Sequence, residues 1–376
     1  TLSVRSDLHG IALDLPAPLD KPAATTLPLQ LQIGMPFPGN TLDLALGDLL
    51  RVHGRLPDAA ARKPAALAIA FGTSPPASIP AGGMVVSGHA PTLDLGGWAH
   101  LANGPDAAQA DAASASNATG GLPPLADAQL ATDDALLFGK HLGAMSLHYA
   151  TAADAHTITF DGAQLAGTLT LPVTGLAQRG ISAQLQRLYW PGDETAGTAA
   201  PAAATPDTLG GIAPASLPPL HLAVADLRLG DARFGQANFE SVPTAHGMRV
   251  TRMDTRSKNV QISAHGEWNG DARSSRSQFA IDLRSDDLGK MLAAFGFAGL
   301  ISGGDNTHAV IEGVWPGAPT AFALADMDGT LKVGVGKGRI TEVRPGVGRL
   351  FGLLSIRELP RRLTLDFGDV YKSGFG

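Results

Sequence analysis

The sequence predicts a mainly β protein: an elongated, curved antiparallel sheet that forms a hydrophobic groove, with a few short helices including a capping helix near the C-terminus. Three observations carry this reading. Segment after segment alternates apolar and polar residues at a period of two between Gly, Asn or Asp. No run of strands alternating with 12-residue helices suggests a parallel βαβ sheet. The helical signals are too few to cover the apolar face that such strands would share.

The strand signals follow one another along the chain. They lie at Leu27 to Ile33, His156 to Phe160, Gln164 to Val173, His221 to Leu229, Asn259 to Trp268, Ser277 to Ser285, Thr307 to Trp315 and Thr330 to Ile340. Their short spacing suits hairpins and meanders, and about twenty strands paired at ~4.8 Å would extend roughly 90 Å. Helical patterns occur at Asp286 to Phe297, where Leu288, Met291, Leu292 and Phe295 share one face, at Gly346 to Ile356, and more weakly at Pro124 to Leu137. The run from Gly346 to Val370 turns from helix to strand at Pro360, whose ring excludes helical geometry for Leu359.

Three low-complexity stretches, Thr73 to Gly83, Pro105 to Asp127 and Pro191 to Pro219, lack bulky side chains to bury and read as long loops. The last two divide the chain into β-groove segments at 1–104, 128–190 and 220–376, with loops at 105–127 and 191–219 and helices near 286–297 and 346–356. Both ends stop in mid-pattern, which reads as a fragment of something longer.

Composition narrows the function classes. The 376 residues include no Cys, 46 Gly and 27 Pro, and only 16% are charged against a usual ~25%. Without Cys there is no disulfide framework and no thiolate metal site. The net charge of -6 lacks the basic excess of a nucleic-acid binder. Eleven His residues scatter singly, and Gly334, Gly336 and Gly338 around Lys337 lack phosphate-loop spacing, so no metal or cofactor is expected. No Ser-His-Asp set, nucleophile elbow or paired carboxylates in an evident pocket gives a warrant for catalysis.

The alternation gathers Val260 and Ile262, Phe279, Ile281 and Leu283, Leu331, Val333 and Val335, and Leu363, Leu365 and Phe367 on one face. Either the sheet curls on itself or this face stays available to an apolar ligand. Arg361 and Arg362 could hold a phosphate through guanidinium contacts, or pair with Asp366 and Asp369 to fix a corner. The helix at Gly346 to Ile356 could cap the sheet, lie on a membrane surface or belong to a small core.

Several stretches carry a resemblance: SDLHGIALDLPAPLDKP from Ser6, LQRLYW from Leu185, SDDLGKMLAAFGF from Ser285, the run from Ile311 to Ile340, and that from Val343 to Phe375. In these the chain resembles the C-terminal part of the AsmA-like, YhdP-type proteins of the Gram-negative envelope. The resemblance implies a periplasmic body, anchored in the inner membrane by a helix absent from this chain, whose groove moves phospholipid between the inner and outer membranes without catalysis. The residues alone offer a second reading, a secreted β-rich interaction or structural module whose core is closed and holds no lipid.

Overall fold

Alternating sequence becomes strand almost wherever it was expected, and the strands assemble into open sheets with one apolar and one polar face. The computed structural model describes residues 1–103, 122–192, 212–294, 301–321, 326–336 and 338–340. Its contacts divide the chain into two units, Thr1–Val173 and Thr174–Gly376.

Unit 1 contains β1 (Leu2–Ser6), β2 (Leu29–Ile33), β3 (Thr41–Leu46), β4 (Leu50–Arg55), β5 (Ala66–Phe71), β6 (Gly83–Asp94), helix α1 (Leu95–Asn103), β7 (Leu125–Leu137), β8 (Lys140–His141), β9 (Met145–Thr151), β10 (Ala155–Gly162) and β11 (Leu165–Pro172). The strands pair in the order β1-β2-β3-β4-β5-β6-β7-β9-β10-β11, with β8 folded back on β7. Most neighbours are antiparallel, but β5–β6 and β6–β7 are parallel.

Unit 2 contains α2 (Leu176–Arg179), β12 (Ile181–Trp190), β13 (Leu220–Leu229), β14 (Ala232–Thr244), β15 (Gly247–Arg256), β16 (Gln261–Gly270), β17 (Ser275–Ser285), α3 (Leu288–Ala294), β18 (Ile301–Gly303), β19 (Thr307–Pro316), β20 (Asp328–Gly334) and β21 (Gly338–Ile340). Strands β12 to β17, then β19 and β20, pair in sequence, with β12–β13 parallel. β18 and β21 form a separate antiparallel pair.

The sheet is therefore mixed, and its parallel joints explain the low-complexity stretches. An antiparallel neighbour needs only a tight turn, whereas a parallel one needs a connection long enough to return to the starting edge. Thr73 to Gly83 joins β5 to β6, Pro105 to Asp127 lies between β6 and β7, and Pro191 to Pro219 lies between β12 and β13. Each of these stretches lies in the connection between strands that pair in parallel.

One helical expectation is overturned. Pro124 to Leu137 reads as a weak helix, yet Leu125–Leu137 is strand β7, held between β6 and β9. Ala128, Thr132 and Ala135 are its buried residues, and pairing with two neighbouring strands outweighs the helix preference of its alanines. The helix expected at Asp286 to Phe297 is present as α3. The one at Gly346 to Ile356 lies outside the described residues.

Candidate functional site: the apolar sheet face

In unit 1, registered strands stack their apolar residues into rows across the sheet. The central row runs Val4, Leu31, Leu44, Val52, Ile69, Val86, Ala128, Tyr149, Ile158 and Leu169, each directly opposite the next. Paired residues share a face, so this is one continuous band. A second row beside it runs Leu29, Leu46, Leu50, Phe71, Gly88, Leu130, Leu147 and Phe160. A third runs Leu2, Ile33, Leu42, Gly54, Leu67, Met84 and Leu125. Two steps of alternation make the band about 13 Å wide, and nine strand spacings make it about 43 Å long along the sheet.

The band is covered only in part: Leu46, Phe71 and Ala128 are buried within its rows, but most of its residues are not. Leu31, Leu44, Val52, Ile69, Val86, Ile158 and Leu169 are all half-buried, and Val4 is exposed. The buried aliphatics Leu93, Ala135 and Leu142 lie farther along the strands, where α1 begins and Gly96 sits beside Phe138. That is beyond the rows, which cross β6 at Met84 to Gly88. Gly88 marks the parallel joint: its φ is +111°, and a Cβ there would sit 2.2 Å from the Phe71 carbonyl oxygen.

The reverse face is mostly polar, apart from the buried Ala66, Ala68 and Ala70 of β5. On unit 1 it carries Asp43 with His53 at 2.6 Å and Asp127 with His148 at 3.0 Å. On unit 2 it carries Arg249 with Glu267 at 2.8 Å, and Asp282 with Arg284 at 2.8 Å and His308 at 2.7 Å. The hydrogen bond from His308, followed by that from Arg284, holds the Asp282 carboxyl below the usual range. The hydrogen bonds from Arg249 and Asn269 do the same for Glu267. At the parallel β12–β13 joint, Tyr189 donates to Asp226 at 2.7 Å, and Arg228 donates to the same carboxylate at 2.6 Å while its guanidinium lies 4.0 Å over the Tyr189 ring. That bond to Asp226 raises the Tyr189 hydroxyl; burial pushes Asp226 up, but the bonds from Arg228 and Tyr189 outweigh it. Among the described residues, no group of three or more His, Asp or Glu could hold a metal ion.

Unit 2 has the same two-faced pattern but covers much of its apolar side with its own chain. Met248, Val250, Trp268, Phe279 and Trp315 form a buried cluster, and Ile212, Leu217 and Met327 pack onto it. Phe279 and Trp315 stack with centroids 5.5 Å apart. At the other end Met291 and Leu288 of α3 lie over Val260, Ile262 and Leu283.

The residues singled out from sequence thus separate into groups. Register places Ile262, Leu283 and Val333 in one row and Ile281 and Leu331 in the next. Val260 is only 2% exposed beneath α3, and Phe279 only 7% within the tryptophan cluster. Ile262, Ile281 and Leu283 are partly buried against these two clusters. Leu331 is half-buried, while Val333 and Val335 are exposed. Leu363, Leu365, Phe367, Arg361 and Arg362 lie outside the described residues. The unit 1 band was missed as a site, although LQLQI, TLDLAL and ALAIAF carry its signal as plainly as any later strand.

An open, mainly β sheet with short helices, mostly polar on one side and lined with partly exposed aliphatics on the other, defines the class: an open-sheet β protein with an apolar face. The chain belongs to the YhdP protein family, whose pattern it matches over residues 1–376. It is 30% identical over 116 residues to the intermembrane phospholipid transporter YhdP of Escherichia coli strain K12, a match covering 31% of this chain and 9% of that protein. No solved structure matches the chain. Among the described residues, no helix is long and apolar enough to cross a membrane.

Proposed function

We propose that this chain is a non-enzymatic segment of a phospholipid conduit in the periplasm, and that acyl chains lie on the apolar band while headgroups remain in water. The observation that carries this reading is the central row of unit 1, continuous over its registered strands and, Ala128 apart, not buried. Kinship with an intermembrane phospholipid transporter supports phospholipid as cargo, and on this reading the inner and outer membranes are the two ends.

The energetics suit carriage. Each methylene taken out of water contributes ~0.8 kcal/mol. A band of equivalent aliphatic positions offers that gain repeatedly, so a chain can shift along it at little cost. Direction has to come from elsewhere, because a uniform surface favours neither end.

The test places a charge in the path. Ile69→Asp should lower the phospholipid recovered by mass spectrometry from purified protein about tenfold, since an ionised carboxylate disfavours hydrocarbon contact. Ser87→Asp, on the reverse face beside the parallel joint, should leave recovery unchanged. Wild-type protein that folds without lipid, or equal loss in both variants, would defeat the proposal.

A further inference from the structure

The two rims of the unit 1 sheet differ in chemistry. At one rim the β2–β3 loop lifts Met35 and Phe37 into solvent, 54% and 46% exposed, each followed directly by a proline, Pro36 and Pro38. The loop is fixed: Asn40 Nδ2 donates to the Pro36 carbonyl at 2.7 Å, and Leu56 N donates to the Asn40 carbonyl at 2.9 Å. That second bond ties it to the β4–β5 loop, where Arg62 and Lys63 are exposed. Arg62 adopts a left-handed φ of 51°, rare for a side chain of its size. The carboxylate of this loop, Asp58, accepts from Ala61 N at 3.0 Å.

The opposite rim is acidic. Asp7, Asp14, Asp20 and Asp48 are exposed there. Lys21, which could offset them, is only 5% exposed and donates instead to the carbonyls of Ile11, Pro22 and Thr25.

We propose that the Met35–Phe37 rim, flanked by Arg62 and Lys63, docks unit 1 on an anionic lipid bilayer. An aromatic and a flexible apolar side chain on a stiff loop suit shallow insertion between headgroups, and neighbouring Arg and Lys add attraction to anionic lipid. The acidic rim opposite sets the orientation. Two apolar side chains fall far short of the roughly 1,000 Å² that a stable protein interface needs, which favours a bilayer over a protein partner. Because Ile33 and Leu42 flank the loop and belong to the apolar band, docking would bring one edge of that band to the bilayer surface. Docking itself does not require the band to carry acyl chains.

Flotation of the full chain with phosphatidylcholine vesicles, with and without phosphatidylglycerol, tests this. Binding should rise with the anionic lipid. It should fall about tenfold or more in Met35→Ser/Phe37→Ser and in Arg62→Glu/Lys63→Glu, and stay at wild-type level in Asp14→Asn/Asp20→Asn. Since the chain has no Cys, Phe37→Cys with an environment-sensitive fluorophore should shift to shorter wavelength only on anionic vesicles. Wild type that prefers neither vesicle, or rim variants that still bind, would overturn the inference. Phospholipid recovery from the same variants, expected to be unchanged, reports separately on the acyl band.

Discussion

Unit 1 and unit 2 share a strand pattern and differ in what lies over it. In unit 1 most of the apolar residues opposite one another on registered strands stay half-exposed, Leu46, Phe71 and Ala128 being the buried exceptions, and Leu93, Ala135 and Leu142 are buried beyond them near α1. In unit 2 Trp268 and Trp315 are 1% and 3% exposed, covered from outside the sheet by residues such as Ile212 and Leu217, and α3 shields the other end. The same alternation thus gives two results: an apolar face left largely half-exposed, and one that is mostly covered by the chain itself. The difference lies in aromatic side chains and in cover contributed by remote segments, not in the strands themselves.

The largest expected effect tests the filled half. Trp268→Ala removes the largest fully buried side chain among the described residues and should destabilise unit 2 by about 3–5 kcal/mol, read as a lower denaturation midpoint. Ile69→Ala in unit 1, a half-exposed position, should cost clearly less. Equal losses would erase the distinction between the halves.

Next in size is Gly88→Ala. The added Cβ meets backbone that cannot swing aside, at a φ that L residues avoid, so a loss of about 1–3 kcal/mol is expected. Hydrogen exchange should rise first at β5 and β6, leaving unit 2 protected. Faster exchange spread evenly over both units would show that the joint is not local.

Met291→Ala sharpens the comparison from the other side. Shortening this 8% exposed residue should cost about 2 kcal/mol and uncover Val260, Ile262 and Leu283. If cover alone separates the units, a photoreactive acyl probe should now label unit 2 severalfold more strongly. Unchanged labelling would mean that the unit 2 face is unsuited to lipid even when bare.

The smallest effect concerns pH. Asp282 and Glu267 have folded-state pKa values below their unfolded ones, so their stabilisation is full above about pH 5 and disappears as pH falls through the folded values. For such exposed pairs about 0.2–1 kcal/mol each is expected. Asp282→Asn should flatten that part of the acid-denaturation curve measured on β17 and β19. A curve indifferent to this substitution would remove the pair from the account.

How much was legible beforehand depends on the range of the signal. LQLQI, HTITF and HLAVADLRL announce strands because successive side chains must point to opposite faces, a consequence of backbone geometry within a few residues. The long Ala/Pro-rich connections were legible as loops but not as parallel crossovers. The meaning of such a connection lies in which edge of the sheet it returns to, and no local pattern records that. Alternation puts Val260 and Phe279 on the apolar side of the sheet, but it does not show that α3 and the tryptophan cluster cover them.

By itself, then, the sequence determined the β class, the apolar and polar sides of each strand, and the absence of thiol chemistry, because alternation and composition are properties of neighbouring residues. Only the tertiary structure decided the parallel joints at β5–β6, β6–β7 and β12–β13, and which apolar positions remain open. Those depend on segments far apart in the chain meeting in space, as Ile212 meets the cluster that contains Trp268. Burial is settled by what arrives from elsewhere, so a strand carries the capacity for an exposed apolar face without the information on whether it will be covered.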